Sequence, residues 1–549
     1  ARLLELFPCA AGSGWDRSII EKVTLGDRIV PEGVRWGCAI PRMMASNNWV
    51  VSPARSATGH AVMANDPHLE TNRLPNVWYP MAIDLGGEAW AVGACMPGVP
   101  GILVGRNRDL AWGATYTFAD AVDSWVERCR DGKYDRAGEW LDFDARREVI
   151  KRKGKPDALV LFRENAHGVL EGDPAKEGYY LATRWAPGDG GSRSVESMIG
   201  MLAAAGVDEG MDLLGRIEAS FSWVLADREG RIGFQMSGLV PRRGRGNGFA
   251  PLAGWDPGND WDGFVDPADL PRCVDPAGGI LVTANQDLNA LGRAHPINMP
   301  MGDWRARRIS DRLSSKEKIS IEDIEALHAD TWSGQAAAFL EVLGPLLPDD
   351  EAGRLLGGWD CRYDTESRAA ALFEDFYSEL RREVFGKDAL GEEVVDHLAS
   401  ETGIFVDFYA NVDGVLLSSV SAWLAGRRQE EVWRAAFARA AARPRQAWGE
   451  RNAITFTNIF LGGKLPGFLG FDRGPYPLPG GRATPHQGQI YRSAGRVTSF
   501  APSLRMIADM GEDHVLASLA GGPSDRRFSR WYASGIDGWR AGRYDRLER

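Results

Sequence analysis

A serine hydroxyl attacks a carbonyl well only when a base takes its proton. Ser46 suggests an unusual source for that base. In the stretch Pro41–Val51, PRMMASNNWVV, a plain Met-Met-Ala gives way abruptly to a serine, two asparagines and a tryptophan. Cutting the Ala45–Ser46 bond would turn Ser46 into an N-terminus that carries a hydroxyl and a free amine on one residue. An α-amine has a reference pKa of about 7.7–8.0, so near neutral pH a useful fraction can accept the hydroxyl proton, through a water. The same nitrogen in mid-chain is an amide without that basicity. A neighbouring histidine is the other common solution, but the sequence has no G-x-S-x-G elbow of the α/β-hydrolase kind.

The elements that must hold this serine are mostly short strands. From Ser46 to about Ile309, WVVSPARSATGHAVMAND reads as strand, turn and strand, and FSWVLADREGRIGFQMSG as a hairpin around DREG. GGILVTANQ reads as a short buried strand with a polar end. The character changes near residue 310. Ser320 is the expected N-cap of a helix with Glu322 and Asp323 in its first turn. SRAAALFEDFYSELRREVF (367–385) puts Leu372, Phe373, Phe376 and Leu380 on one helical stripe, and 430–443 reads as another helix. Strand signals return after about residue 446, and the tail GWRAGRYDRLER reads as helix-like. The order indicates one discontinuous α+β domain. Its expected parts are 1–45, then 46–309 as the first part of the core, 310–445 as an inserted helical segment, and 446–549 completing the core.

The totals set outer limits. The chain has 549 residues, with 44% hydrophobic and 25% charged, a globular composition able to bury a large core. A net charge of −11 argues against nucleic acid as a partner. No apolar run reaches the roughly 18–20 residues of a membrane span. The six cysteines, Cys9, Cys38, Cys95, Cys129, Cys273 and Cys361, are scattered without a C-x-x-C pair, against a zinc or thioredoxin-type site. They permit disulfides without demanding them. No dinucleotide-binding or P-loop glycine motif is present. The first residues, ARLLELFPCAAGSGW, do not read as a signal peptide.

SNNWVV (46–51) is followed by NDPHL (65–69), PGVPGILVGRNRDLAWGATYTFADAVDSWVE (97–127), PAGGILVTANQ (276–286), WRARRI (304–309) and LAGGPSDRRFSRWYASGIDGWRAG near the end. This succession resembles the penicillin acylase family of N-terminal-nucleophile hydrolases, including acyl-homoserine-lactone and cephalosporin acylases. The resemblance covers most of 46–549 in order. It implies a four-layer αββα sandwich, with 1–45 as the end of an N-terminal (α) subunit or a spacer peptide and the rest as the β subunit. Periplasmic or secreted localisation is implied on the same ground.

The resemblance also assigns roles. Ser46 becomes the nucleophile. Its oxyanion donors are the backbone N–H of Tyr116, with Thr115 as the neighbouring choice, and the side chain of Asn285, with Asn289 as competitor. His68 matches a histidine that contacts the N-terminal serine in the acyl-homoserine-lactone and cephalosporin branches. Arg305 matches an arginine near the site, with Arg308 next in register. FADAVD (118–123) resembles a calcium-binding turn, with Asp120, the carbonyl of Val122 and Asp123 as oxygen ligands. Calcium takes about six to eight oxygens, so further ligands lie elsewhere. This calcium would be structural, and catalysis needs no cofactor.

The function implied is hydrolysis of an N-acyl amide through an acyl-enzyme. Ser46 would first free itself by attacking the Ala45 carbonyl, giving an ester that hydrolyses. His68 tilts the substrate towards aliphatic acyl amides such as N-acyl-homoserine lactones. The alternatives are removal of β-lactam side chains, or a binding protein that kept the fold and lost catalysis.

Overall fold

The computed structural model describes residues 1–24, 45–397, 411–490 and 498–549. Cys38 and the Pro41–Met44 half of the opening stretch lie outside the described residues.

Strand Ala45–Val51 sits between two antiparallel neighbours, Val62–Glu70 and Ile280–Thr283. It is buried along its whole length. Val62–Glu70 pairs onward with Thr498–Pro502 and Leu504–Asp509, so C-terminal strands complete the sheet begun at Ala45. A second, seven-stranded sheet has Phe221–Asp227 and Leu110–Tyr116 at its centre, with the 221–236 hairpin on one side. A third sheet is built around the partners Val122–Arg130 and Gly178–Trp185.

The first two sheets pack face to face. Their contact requires a glycine at 113, where a Cβ would lie 2.6 Å from Asn48 Oδ1 and 3.0 Å from the Met63 sulfur. Val50, Met63, Val224 and Met506 fill the inter-sheet core. On the outer face of the first sheet, Trp49, Val51, Val62, Ala64 and Ile507 pack against Ala306, Ile309, Ile324 and Leu327. Those residues lie on helices Trp304–Ser314 and Ile321–His328. On the outer face of the second sheet lies helix Val207–Gly215, which packs so closely that a Cβ on Gly210 would lie 2.6 Å from both Leu110 and Leu225. The order is helix, sheet, sheet, helix.

Local chemistry explains several of these elements. Ser320 accepts the backbone N–H of Asp323 while the Asp323 carboxylate accepts that of Ser320, a capping box that satisfies two otherwise orphaned donors. Ser367 caps helix Arg368–Arg381, whose apolar stripe enters a helical core with Phe339, Trp433 and Phe437. The segment read as helical thus divides in two. Its first two helices form an outer layer of the sandwich, and a separate helical core starts at Gly334–Leu343. Two helices the sequence reading did not identify, Arg193–Gly200 and Val207–Gly215, lie within the strand-rich part. The tail holds a short helix, Ile536–Arg540, then a strand, Asp545–Leu547, that pairs with Val515–Leu519.

Residues 1–24 dock onto the rest. Leu6 enters the helical core, and the Glu5 carboxylate accepts the Ser421 hydroxyl at 2.6 Å and the Ala422 N–H at 3.0 Å. Cys9, Cys95, Cys129, Cys273 and Cys361 are free thiols.

Candidate active site

Strand pairing decides what Ser46 can touch. Ala45 lies opposite His68 and Ser46 opposite Pro67. Directly paired residues project to the same face of a sheet, and successive residues to opposite faces. Ser46 therefore faces the inter-sheet space, while Asn47, Asp66 and His68 share the other face.

In the uncut chain Ser46 is 2% exposed. Its hydroxyl donates to the Ala45 carbonyl oxygen at 2.5 Å. Its backbone N–H donates to Asn285 Oδ1 at 2.9 Å. The pairing of Asn48 with Thr283, continued past the strand end, sets residue 285 opposite residue 46. Asn285 has φ +69°, a left-handed conformation that asparagine tolerates better than most residues. Its Nδ2 donates to the Tyr116 carbonyl at 2.7 Å.

The Tyr116 backbone points at this site because of ladder alternation. Thr117 N–H bonds the Ser220 carbonyl, which makes Tyr116 and Phe221 a pair without ladder bonds between them. The N–H and C=O of Tyr116 both turn away from that partner strand, towards Asn285. Thr115 belongs to the bonded class, and its hydroxyl meets that of Thr283 at 2.9 Å.

Arg305, 1% exposed, ties these groups together. Its Nη1 donates to the Ser46 carbonyl at 2.9 Å and to Asn47 Oδ1 at 2.7 Å. Its Nη2 donates to the Ala284 carbonyl at 2.8 Å and to Asn285 Oδ1 at 2.9 Å. The guanidinium fork matches this divergent set of acceptors, which a lysine could not. Ser46, Tyr116, Asn285 and Arg305 therefore meet in one place.

His68 does not join them. Its Nε2 meets Asp66 Oδ2 at 2.9 Å and its Nδ1 meets Gln487 Oε1 at 2.9 Å, all behind the sheet from the Ser46 side chain. Burial alone would raise the Asp66 carboxyl, but His68, His328 and Arg505 outweigh it and bring its pKa down to about 2. Asn289 is also elsewhere, bracing Ile297 through both ends of its amide. Arg308 pairs with Asp330 at 2.6 Å and lies over the Trp332 ring. The sequence reading did not single out Asn47, Asp66 or Gln487. Two consecutive buried asparagines and the aspartate of NDPHL were the available signal.

Beside Ser46 lies an apolar cavity of about 230 Å³, walled by Trp78, Met96, Met198, Ile217, Phe221 and Trp223 among others. The Trp78 and Trp223 indole N–H groups are bonded to Ser503 and Ser237. The polar tips of these walls are thus satisfied, leaving ring surface for an apolar guest.

The 118–123 turn is separate. Arg243 Nε donates to Asp123 Oδ2 at 2.7 Å and its Nη2 to the Asp120 carbonyl at 2.8 Å. Val122 N–H donates to Asp120 Oδ1 at 3.1 Å. Asp123 Oδ1 and Asn298 Oδ1 are buried without a hydrogen-bond partner. A Cβ on Gly248 would come within 2.5 Å of Asp120 Oδ2 and 2.7 Å of Asp123 Oδ1. These oxygens suit a hard cation, although Arg243 already brings one positive charge. Among the described residues, no three His, Cys, Asp or Glu side chains converge as a metal group.

Comparison with known proteins places the chain in a family. The family model described as penicillin amidase matches residues 1–549. The acyl-homoserine lactone acylase QuiP of Pseudomonas aeruginosa is 27% identical over 91% of this chain and 66% of that protein. The penicillin acylase 2 proenzyme of Pseudomonas sp. (strain SE83) is 33% identical over 64% of this chain and 46% of that protein. The chain spans less than two thirds of the length of these relatives. A thermostable penicillin G acylase from Alcaligenes faecalis superimposes with a TM-score of 0.73 at 18% identity, over 92% of this chain and 96% of that one. The two share the αββα sandwich fold. On the match along its whole length, this chain belongs to the penicillin amidase family.

Proposed function

We propose that this chain is an N-acyl amide hydrolase whose nucleophile is Ser46, exposed by cleavage of its own Ala45–Ser46 bond. The observation that carries the reading is the convergence on Ser46 of Asn285, the Tyr116 backbone and Arg305 beside an apolar cavity. Before cleavage, the Ser46 hydroxyl lies against the carbonyl it would attack. That attack forms an ester at Oγ and frees the Ser46 nitrogen as an amine. Water then releases residues 1–45. In turnover the amine takes the Oγ proton, Oγ bonds to the acyl carbon, and the proton passes to the leaving amine. Water repeats the sequence on the acyl-enzyme and releases the acid. Asn285 Nδ2 has a second hydrogen beyond the one on Tyr116, and with the Tyr116 N–H it can stabilise the oxyanion.

The cavity favours aliphatic acyl chains, in keeping with the relatives named for acyl-homoserine lactones. The contacts of Leu6 and Glu5 support retention of residues 1–45 as a bound partner after cleavage. Among the described residues, no helix is long and apolar enough to cross a membrane. A periplasmic or secreted location is part of the same proposal.

Expression followed by N-terminal sequencing tests the reading. A fragment beginning at Ser46, with release of amine from N-acyl amides, is expected. An uncut chain that binds such amides without hydrolysing them would favour the binding-protein reading. Preference for β-lactam substrates over linear acyl amides would favour the alternative activity. We further propose a structural calcium held by Asp120, the Val122 carbonyl and Asp123, with Asn298 adding an oxygen. Calcium bound in the purified protein and a lower Tm in chelator are expected. A Tm indifferent to chelator would leave Arg243 as the cation of this turn.

A further inference from the structure

Arg305 is held from behind as well as from the site. Asn47 points to the outer face of the sheet, where it is 0% exposed. Its Oδ1 accepts Arg305 Nη1 at 2.7 Å. Its Nδ2 donates to the Pro485 carbonyl at 2.8 Å and lies 3.3 Å from Asp66 Oδ2. Asp66 is bound in turn by His68, and His68 by Gln487, whose own amide donates to the Arg482 carbonyl at 2.6 Å. Asn47, Asp66, His68 and Gln487 are all at most 1% exposed. Only one orientation of the Asn47 amide suits these neighbours. Its oxygen must face a cation, and its NH₂ must face a carbonyl and a carboxylate.

We infer that Asn47 is a positioning residue, which orients Arg305, and through it Asn285, from the far side of the sheet, with His68 acting through Asp66 and Asn47 rather than on Ser46. The inference rests on the proposed acylase reading. Arg305 donates to Asn285 Oδ1 and so helps set where Nδ2 aims. A loosened guanidinium lets that amide turn, and an oxyanion donor that must be reoriented during the reaction loses most of its effect. The loop 482–487, which enters the chain far from Ser46, thereby becomes part of the apparatus that fixes the site.

A double-mutant cycle on the processed enzyme tests this. N47A is expected to lower kcat about 10- to 100-fold, the range for losing a hydrogen bond to a charged group, with KM within about twofold. R305K lowers kcat on its own. If Asn47 acts through Arg305, the N47A/R305K double variant is no more than about threefold slower than R305K. Multiplying effects would overturn the inference, because a general structural role has no reason to vanish in that background. N47D is a second arm, since its carboxylate faces both Asp66 and the Pro485 carbonyl. Its kcat falls, and D66N restores part of it; failure of D66N to restore any would also count against the inference.

The pH profile separates His68 from a direct partner of the nucleophile. H68Q is expected to lower kcat while leaving the acid limb of kcat/KM, set by the Ser46 amine, where it was. A shifted limb would mean that His68 acts on the amine and would overturn its assigned route. Absence of any fragment starting at Ser46 in the unaltered protein defeats the acylase reading and this one together. Normal processing and turnover with an additive cycle defeats this one alone.

Discussion

Replacing Asn285 by aspartate tests its proposed role as an oxyanion donor. The two residues have nearly the same shape, and both tolerate the positive φ of +69° found here better than most. Aspartate keeps the acceptor that receives Ser46 N–H and Arg305 Nη2, each at 2.9 Å. It replaces the NH₂ that bonds the Tyr116 carbonyl at 2.7 Å with an oxygen that can only accept, and it adds a negative charge where the oxyanion would form, so the donor loss below is the lower limit of the effect. Loss of one oxyanion donor costs about 2.7–4 kcal/mol, a factor of about 10²–10³ in kcat. The expected KM is close to the original, because the acyl cavity is untouched. Alanine is the poorer choice, since a Cβ-bearing residue without a local hydrogen bond pays about 1–2 kcal/mol in the left-handed region. Glycine is the better control: it accepts this φ and removes the side chain entirely. The assay is amine release from a medium-chain N-acyl amide, normalised to subunit that begins at Ser46 as counted by mass spectrometry. That normalisation keeps slow self-cleavage from being mistaken for slow turnover. Processed N285D with kcat within about tenfold of the original would refute the oxyanion role of this side chain.

Other consequences follow from the same coordinates. Ser46→Ala should abolish both the fragment that starts at position 46 and amine release, read on a gel and in the amine assay; activity surviving this change would remove Ser46 as nucleophile. Across linear acyl amides of increasing length, kcat/KM should rise about fourfold per methylene, from about 0.8 kcal/mol per buried CH₂, and level off once the 230 Å³ cavity is full. Ala219→Leu, which fills part of that cavity, should move the plateau to shorter chains, and an unmoved plateau would place the acyl chain elsewhere. Burial holds His328 and His486 down to about 3, against 6.5 when free. The unfolded chain therefore takes up protons that the folded chain refuses. The stability this represents is complete above about pH 6.5 and declines as pH falls towards 3, with a slope of up to about 2.7 kcal/mol per pH unit for two sites. Urea midpoints at pH 7, 6, 5 and 4 check it, and a flat series would show these rings are charged or exposed. The Asp66 carboxyl, held at about 2, adds its loss only below about pH 4.

Much of this protein is written locally. The hairpins at 221–236 and 45–70 follow from turn residues between β-rich arms, and the helix after Ser320 from a capping box four residues long. Such features are decided by a few adjacent side chains, so the sequence alone determines them. The abrupt start of SNNWVV is of the same kind, since a buried strand begins there. The two helices at 193–215 were less legible: they are short, rich in glycine and polar residues, and held by packing on the second sheet.

What only the tertiary structure decided is which face each strand residue takes and what meets it there. A shift of one residue in the register of strand 45–51 would put Ser46 on the face that His68 occupies and turn Asn47 into the inter-sheet core. The actual register, with Ala45 opposite His68, is fixed by the hydrophobic faces of three strands together and cannot be read from any one of them. The same holds for the Tyr116 N–H, whose direction depends on the alternation of ladder bonds with a strand more than 100 residues away. It holds again for Gln487 and Pro485, which reach the back of the Ser46 strand only because C-terminal strands complete the sheet. The sequence supplied the serine proposed as nucleophile and the residue types around it. Long-range pairing chose which of them face the chemistry and which hold it from behind, because side-chain direction in a sheet is a property of the pairing and not of the residue.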